Sequence, residues 1–271
     1  AAFQVLDAVN DGVLDAAHSV PVYWYGKNKA ASLFGTGPVF GGSATTMLSW
    51  FYAGGGDELY RELTQDIMGL DVIGYLGFPM FAQPFGWFKG EVNSVADIQG
   101  FKYRTVGLAA DLLQAMGMSV AQLPGGEIVP AMERGVIDAA SFPFSYAHGA
   151  YGLHEVSDWY TANLNPGVNH AHIFVSTPAW DALPEQYKTL IEEVKEEVYQ
   201  LNIKGMDEAD AKWIPIFDET LTAVTYTDEQ RQPWIDEVAR PVWDKWVEEQ
   251  EAAGRPGKEL LEVILNTASG Q

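Results

Sequence analysis

The sequence predicts an α/β fold made of two similar lobes, on three observations. A ten-residue segment occurs twice, as AVNDGVLDAA at 8–17 and as AMERGVIDAA at 131–140. Strand-like and helix-like patterns alternate from about 101 to 142, which is typical of a lobe with a mostly parallel sheet. A long amphipathic helical pattern follows residue 177.

The repeat carries the prediction of two lobes. Each copy reads as the end of a helix, a Gly turn, a short apolar strand and an Asp near the end of that strand. Each is followed by an aromatic segment, HSVPVYWY at 18–25 and SFPFSYAH at 141–148. A repeated supersecondary unit indicates related lobes, whose aromatic segments would line opposite walls of one cleft. The alternative is chance similarity, since one short match is weak evidence.

Composition limits the classes of function. With 271 residues, 47% of them hydrophobic, the chain can form one large domain or two modest ones. Its 37 acidic and 16 basic residues give a net charge of −21, which repels phosphate backbones and anionic lipid, so no nucleic-acid or membrane-surface partner is expected. The absence of cysteine excludes disulfides, iron–sulfur clusters, thiolate zinc sites and cysteine nucleophiles.

The first part of the chain reads as a helix, a strand, two helices and a further strand. Helical spacing at the start ends at Gly12, and VLDAAH follows as a strand. Helices are predicted from about 45 to 52 and from about 57 to 67. The near-continuous apolar run at 70–79 is typical of a buried strand.

The middle of the chain carries the alternation that predicts a parallel sheet. Ser94, with Asp97 three residues later, caps a short helix that ends at Gly100. FKYRTV is then a strand with Arg104 near its carboxyl end, and GLAADLLQAMG is a helix. VAQLP follows as a strand and EIVPAMERG as a helix.

The last part of the chain is mostly helical. HAHIFVST at 170–177 is a strand, and Thr177 caps the long helical region, with Pro178 at its first position. Its apolar residues recur at helical spacing and face away from a charged side; they are Tyr187, Leu190, Ile191, Val194, Val198 and Leu201. AVTYT is a strand, and Asp228 caps a final helical stretch that reaches about residue 253.

Arg104 is the strongest candidate for a functional residue. It lies at the carboxyl end of a predicted parallel strand, which is where open α/β sheets bind ligands. A guanidinium there can hold a carboxylate through two parallel hydrogen bonds. In a chain this acidic, a site for an organic acid needs such a local cation. The alternative is a surface arginine paired with a neighbouring acid.

Weaker candidates come from aromatic, amide and imidazole side chains. Motifs for nucleotide cradles, a nucleophile elbow or an H-E-x-x-H metal site are missing from the sequence. Aromatic residues after the repeated strands, Gln83 within an apolar run, and two histidines on one strand face could line a cleft. Aromatic residues are more often core residues, but those after the repeated strands have the better claim to the cleft. Gln83 is either paired in the core or directed at a ligand, and for the histidine pair we favour hydrogen-bonded residues over a metal pair. These candidates are Tyr23, Trp24, Gln83, Phe142, His170 and His172.

Longer stretches resemble a known family. They are AVNDGVLDAAHSVPVYWYGKNKAASLFGTGPVFG, AQPFGWF, VADIQGFKYRTVGLAADLLQAMG, PGGEIVPAMERGVIDAASF and TPAWDALPEQYKTLIEEV. In these the chain resembles the DctP-type substrate-binding proteins of TRAP transporters, nearest to the branch that binds 2-oxo acids or lactate. The resemblance implies two hinged α/β lobes of the periplasmic binding protein type, with mixed, mostly parallel sheets and a long connecting helix.

The resemblance also implies lobe boundaries and a site. Lobe one would comprise 1–82 plus 177–222, lobe two 83–176 plus about 223–253, and the tail 254–271. Family members begin with a further segment of lobe one, so the sequence is expected to be a fragment. By resemblance, Arg104 binds the ligand carboxylate, and Gln83 holds the substrate or a cation beside it.

The resemblance is incomplete where the branch holds its metal. Ser141 stands where the branch has a glutamate ligand, and a further acidic ligand expected between 160 and 170 is replaced by Asn165, Pro166 and Asn169. No metal-ligating residue and no cofactor are therefore predicted, and a cation beside the ligand stays an open alternative. Ser141 is retained as a candidate ligand-contacting residue.

The function expected from these observations is that of a periplasmic solute receptor and not of an enzyme. It would capture a small organic acid, such as a 2-oxo or hydroxy acid, for sodium-coupled uptake through TRAP membrane permease subunits. One alternative is an α/β enzyme that acts on a small carboxylate with His170, His172 and Asp138. Another is a structural or sensory module without a ligand. A homodimer is left open.

Overall fold

The computed structural model describes residues 1–35, 44–82, 85–142, 151–161, 168–252 and 258. Within them the chain forms two sheets, one of three strands in the order β1-β8-β2 and one of six strands in the order β5-β4-β6-β3-β7-β9. The strands are β1 (Ala16–Ser19), β2 (Val72–Ala82), β3 (Trp87–Phe88), β4 (Lys102–Arg104), β5 (Ser119–Ala121), β6 (Ala139–Ala140), β7 (Trp159–Thr161), β8 (Val168–Ser176) and β9 (Thr222–Val224). Each sheet organises one lobe of an α/β fold.

Helices cover both sheets. They are α1 (Val5–Asn10), α2 (Ala44–Ala53), α3 (Gly56–Arg61), α4 (Leu108–Ala115), α5 (Ile128–Glu133), α6 (Thr177–Ala182), α7 (Glu185–Thr220), α8 (Asp228–Pro233) and α9 (Arg240–Ala252). Wider turns over Glu62–Ile67 and Trp234–Ala239 continue α3 and α8. No helix of the described segments has the length and apolar character needed to cross a membrane.

The first lobe packs its helices on the three-stranded sheet. Residues from α1, α3, β2, β8 and α7 share one buried cluster that includes Leu6, Tyr60, Leu76, Phe174 and Tyr199. This sheet is antiparallel in every pair, whereas a mostly parallel arrangement was predicted. The reason is connectivity, because β2 carries the chain towards the second lobe and β8 carries it back.

The second lobe has the mixed sheet that the alternating pattern predicts. β4 pairs in parallel with β5 and β6, and β7 pairs in parallel with β9, while β3 runs antiparallel to both of its neighbours. Successive strand residues point to opposite faces. Accordingly, Ala139 lies in the cluster beneath α4 and Ala140 in the cluster beneath α5, so helices bury both faces of the sheet.

The repeated segment adopts the same backbone twice. In each copy a helix, α1 or α5, ends at a left-handed glycine, with φ of +70° at Gly12 and +68° at Gly135. The amide that follows each glycine donates to the carbonyl of the first alanine of the repeat, at 2.8 Å in the first copy and 2.9 Å in the second. This bond closes a helix C-terminus of the Schellman type. The two copies are therefore equivalent structural units, one in each lobe.

Helix starts agree with the predicted signals to within one residue. Ser94 and Asp97 form the predicted capping box at the turn Val95–Ile98. The caps of α6 and α8 lie one residue before the predicted Thr177 and Asp228. Ser176 accepts from the amide of Ala179, and Thr227 forms a capping box with Gln230. In both cases the hydroxyl immediately before the helix takes the cap position.

The predicted lobe boundaries need correction at two places. β8 pairs along its length with β2, from Val72 opposite Ser176 to Ala82 opposite Val168, so 168–176 lies in the first lobe's sheet and not with 83–161. The long helix α7 belongs to both lobes, because Tyr199 is in the first lobe's core and Phe217 in a core cluster of the second. Local patterns identify a strand without showing its partner. Of the tail 254–271, only residue 258 is described.

Much of the apolar stripe on α7 is exposed. Tyr187, Leu190 and Leu201 are 50%, 50% and 60% exposed, whereas Ile191 and Val194 are half-buried. Tyr199, outside the stripe, is fully buried in the first lobe's core. The helix therefore leaves apolar side chains exposed on the surface of the described chain.

Candidate functional site

Arg104 ends β4 in the middle of the parallel part of the second sheet. Its Cα pairs with Ala121 of β5 on one side and Ala140 of β6 on the other. The guanidinium therefore starts from the carboxyl ends of three adjacent strands, which is the edge where sheets of this kind hold ligands. The residue is only 3% exposed, so it is not the surface arginine of the alternative interpretation.

The guanidinium is held by neutral groups. Nε donates to the carbonyl of Leu123 at 2.7 Å, and Nη1 donates to the carbonyl of Ser141 at 3.0 Å. In the part of the chain that the structure describes, no carboxylate lies within ion-pair distance of it. Burial lowers the pKa of Arg104 from its usual value, but an arginine side chain keeps its proton in proteins. A cation buried without a counter-ion is costly, and an incoming anion would offset that cost.

Phe142 forms an apolar wall beside this cation. The centroid of its ring lies 5.8 Å from the guanidinium carbon, within the range of a cation–π contact. The ring packs edge-on against Tyr151, with centroids 5.4 Å apart. It also lies over Gly125, where a side-chain carbon would come within 2.9 Å of the ring. A glycine at 125 thus leaves the space that Phe142 occupies.

Tyr23 approaches the same cation from the first lobe. It lies in the short helical turn Pro21–Trp24 that follows β1. Its hydroxyl accepts a 3.4 Å hydrogen bond from the Gly125 amide and interacts with Arg104, which partly offsets the effect of burial on the pKa of the arginine. One aromatic residue from the segment after each copy of the repeat therefore borders the guanidinium, from opposite lobes.

Ser141 lies at the site but is already engaged. Its carbonyl holds Arg104, and its hydroxyl donates to Thr105 Oγ1 at 2.9 Å. Across the described segments no group of three or more His, Asp or Glu side chains is placed to hold a metal ion. The side chain of Gln83, predicted to hold substrate or cation, lies outside the described residues.

Trp24 and its neighbour Tyr23 lie in the same turn, but their side chains point to different parts of the molecule. It is 1% exposed and packs edge-on against Phe174 and close to Tyr60 in the first lobe's core. It does not border Arg104, so the geometry places Trp24 in the core rather than on the ligand wall. Adjacent residues of a tight helical turn point in different directions, and the residue types alone did not show which of the two is buried in the core.

His170 and His172 share one face of β8, as predicted, and that face is turned into the first lobe. Nε2 of His172 donates to the carbonyl of Phe34 at 2.9 Å, and its ring lies over that of Tyr60 with centroids 4.6 Å apart. Nδ1 of His170 and the Tyr199 hydroxyl are 3.2 Å apart. Burial lowers the pKa of His170 to about 3 and that of His172 to about 4. Both are neutral, hydrogen-bonded core residues.

The residues of the alternative enzyme are not brought together. Asp138 precedes β6 in the second lobe, where its carboxylate accepts from the amide of Lys102 at 3.2 Å. The histidines lie within the other lobe's core. The acid–base group proposed from His170, His172 and Asp138 therefore does not form.

Two groups that contribute to the site were not predicted from the sequence. The carbonyl of Leu123 and the hydroxyl of Thr105 hold Arg104 and Ser141 in place. A backbone carbonyl carries no signal in its residue type. The pair Gly125–Gly126 after Pro124 is the only local hint, because such a turn lets backbone approach a ring closely.

Comparison with known proteins places the chain in a family. The model described as "Bacterial extracellular solute-binding protein, family 7" (DctP) matches residues 1–250. A monocarboxylate 2-oxoacid-binding periplasmic protein of Nostoc sp. is 32% identical over 237 residues, which cover 87% of this chain and 62% of that protein. The chain thus spans less than two thirds of this relative's length. The family is described as solute-binding and extracellular, and this relative as a periplasmic binding protein, in agreement with the predicted receptor class.

Solved structures support the fold. A TRAP periplasmic solute-binding protein from Pseudoalteromonas atlantica, with bound sodium and pyruvate, superposes with a TM-score of 0.85 at 24% identity, covering 99% of this chain and 80% of that one. A TRAP solute-binding protein from Bordetella bronchiseptica, a dimer with calcium and picolinate in one of its sites, gives 0.82 at 24% identity, covering 98% and 76%. They confirm the predicted two-lobe α/β fold. With its family model matched from residue 1 to 250, this chain belongs to the DctP family, family 7 of the bacterial extracellular solute-binding proteins.

Proposed function

We propose that the protein binds a small monocarboxylate, of the 2-oxo- or hydroxy-acid class, between its lobes at Arg104. The observation that carries this proposal is a buried guanidinium with carbonyl partners and no carboxylate among the described residues. The Nostoc relative, which is named for 2-oxoacid binding, supports the ligand class. The charge of the ligand would supply the counter-ion that the described residues do not provide.

The donors of Arg104 suit a carboxylate. An arginine has five N–H groups, and the Leu123 and Ser141 carbonyls take one on Nε and one on Nη1. The outer end of the fork is left to the Tyr23 hydroxyl and to a ligand carboxylate bound by parallel hydrogen bonds. The Phe142 ring would contact the short apolar end of the ligand. With the lobes together, exclusion of water lowers the local dielectric and strengthens the ionic contact.

Calorimetric titration with pyruvate and lactate tests this function. Wild-type protein is expected to bind one equivalent and to return the ligand chemically intact. Arg104→Lys keeps the charge but loses the planar fork, so we expect affinity to fall at least thirtyfold. Arg134→Lys is the matched control, because Arg134 is an exposed arginine of the same lobe. Equal affinity in both variants, or turnover of the acid, would contradict the proposal.

The membrane partner and the coupling ion are further parts of the proposed function. We infer that the loaded receptor delivers its ligand in the periplasm to TRAP permease subunits, which take it up with sodium. Family membership supports this partner. Uptake of labelled pyruvate into proteoliposomes that contain the cognate permease should require the receptor and stop when potassium replaces sodium. Sodium-independent uptake would contradict the coupling.

A homodimer is proposed as the receptor's assembly. The exposed apolar stripe of α7, with Tyr187, Leu190 and Leu201, supports it, as does the dimeric relative from Bordetella. Light scattering should then give twice the mass of one chain for the wild type. The double variant Leu190→Glu, Leu201→Glu should give the mass of one chain. A monomeric wild-type protein would overturn this assembly and leave the ligand site unaffected.

A further inference from the structure

A contact between side chains joins the two lobes a short distance along the chain from the candidate site. Asp111 lies on the exposed side of α4 in the second lobe, whose opposite side packs Leu112 and Leu113 into the core. Its Oδ2 accepts a hydrogen bond from the hydroxyl of Tyr25 and a second from Lys29 Nζ at 3.1 Å. Tyr25 and Lys29 both belong to the first lobe. One carboxylate is therefore held by two groups of the opposite lobe.

Short, ordered segments connect this contact with the candidate site. α4 begins four residues after Arg104, and Tyr25 is two residues from Tyr23. Between them the lobes approach closely, because a side-chain carbon added to Gly107 would lie 2.9 Å from Ser32 Oγ of the first lobe. A change in the separation of the lobes at the guanidinium must therefore also move Asp111 relative to Tyr25 and Lys29.

The contact is electrostatic and partly open to solvent. The side chains of Lys29 and Asp111 are 66% and 46% exposed, so their ion pair alone is weak and sensitive to salt. The Tyr25 hydroxyl adds a charge-assisted bond, and the Lys29 ammonium lies 5.3 Å from the centre of the Tyr25 ring. Partial burial and the bond to Asp111 raise the pKa of Tyr25, so it remains a donor at neutral pH.

We propose that Asp111, Tyr25 and Lys29 form an interlobe clasp that favours the closed arrangement and so sets ligand affinity without touching the ligand. The inference rests on the proposed function in one respect, that closure accompanies binding. The clasp bonds form only when the lobes are together, so they stabilise the closed state and leave the open state unchanged. Because they need no ligand, the clasp also draws the unliganded receptor towards closure.

A second ion pair in the same chain provides a matched control. Lys27 and Asp7 are 2.5 Å apart, with side chains 39% and 44% exposed, but both lie in the first lobe. Asp7→Asn and Asp111→Asn thus remove the same charge at similar exposure, and only the second breaks a contact between lobes. The chain has no cysteine, so dyes can be attached only at cysteines introduced at exposed Glu62 and Gln114, one in each lobe.

The experiment measures energy transfer between these dyes without ligand, and the affinity for pyruvate by calorimetry. We expect Asp111→Asn to shift the unliganded distribution to longer distances and to weaken binding roughly three- to tenfold. Tyr25→Phe should reproduce most of this effect, and Lys29→Met a smaller part. High salt should shift wild-type protein in the same direction. Asp7→Asn should leave both readouts at their wild-type values.

The two proposals fail in distinguishable ways. An unliganded distance distribution that Asp111→Asn leaves unchanged would overturn the clasp, whatever the affinities are. An equal shift in Asp7→Asn would also overturn it, because the effect would then follow net charge and not the interlobe contact. Absence of pyruvate and lactate binding in the wild type would reject the proposed ligand class, while the distances would still decide the clasp.

Discussion

Arg104 and the pair His170 and His172 are buried ionisable residues that the sequence offers as site candidates, but the structure gives them different charge states. The arginine lies between the lobes and remains charged, held by the Leu123 and Ser141 carbonyls. The histidines lie within one lobe and are neutral, with Phe34 and Tyr199 as partners. Burial alone therefore does not mark a binding residue. We propose that a binding residue is distinguished by a retained charge that has no carboxylate partner among the described residues, at a surface that two lobes share.

The sharpest test of this comparison replaces the charge by an apolar side chain. Arg104→Met is expected to abolish pyruvate binding, with affinity reduced about a hundredfold or more. The same change should alter the stability of the unliganded protein little, because relief of a buried charge offsets the loss of the hydrogen bonds to the Leu123 and Ser141 carbonyls. Thermal unfolding with and without pyruvate measures both effects. A large loss of stability without ligand would mean that the arginine is structural.

Neighbouring residues 23 and 24 extend the comparison to aromatic side chains. Trp24→Leu should cost about 3 kcal/mol of unfolding free energy, because it opens a cavity in the first lobe's core, and should leave affinity nearly unchanged. Tyr23→Phe removes the hydroxyl beside Arg104 and Gly125, and should weaken binding a fewfold with little loss of stability. Chemical denaturation and calorimetry on both variants give the four values. The reverse pattern would exchange the roles assigned to these two residues.

The histidines predict a dependence of stability on pH that is unrelated to ligand binding. In the folded state their pKa values, about 3 and about 4, lie below the ordinary value of 6.5, so the unfolded chain takes up more protons between these limits. Stability is therefore fully present above about pH 6.5 and falls as the pH decreases to about 3, the lower of the two folded-state pKa values. His172→Gln keeps a donor for the Phe34 carbonyl and should flatten this loss, which unfolding curves at successive pH values would measure. An unchanged pH profile would contradict the neutral assignment.

Phe142 should give the smallest effect. Phe142→Leu keeps an apolar wall but removes the ring that lies 5.8 Å from the guanidinium carbon. A cation–π contact contributes about 0.5–2 kcal/mol, so affinity should fall a fewfold. Val136→Leu, at an exposed position of the same lobe, is a neutral control in the same titration. Affinity equal to that of the control would remove Phe142 from the ligand wall.

Sequence reasoning selected Arg104 as a candidate through position and charge. Its position at the strand ends was predictable, and a basic residue at the carboxyl end of a parallel strand is conspicuous in a chain of net charge −21. The repeat likewise predicted equivalent helix–glycine–strand units, and Gly12 and Gly135 adopt the same left-handed conformation. Both inferences depend mainly on local patterns, and a short stretch of sequence is enough to recognise such a pattern.

The remainder depended on contacts between distant segments. Alternation on β8 placed His170 and His172 on one face, but which face is buried follows from pairing with β1 and β2. The same pairing moved 168–176 into the first lobe. The carbonyl of Leu123 became a partner of Arg104 because the loop after β5 folds back over the strand ends. None of these contacts has a signal in residue type or spacing.

The most direct test of the account is the structure of the protein crystallised with pyruvate. We expect the pyruvate carboxylate within about 2.7–2.9 Å of the Arg104 guanidinium nitrogens, with Tyr23 and Phe142 on either side and the Leu123 and Ser141 carbonyls still in place. A carboxylate bound elsewhere, with Arg104 contacting only those two carbonyls, would contradict the central claim.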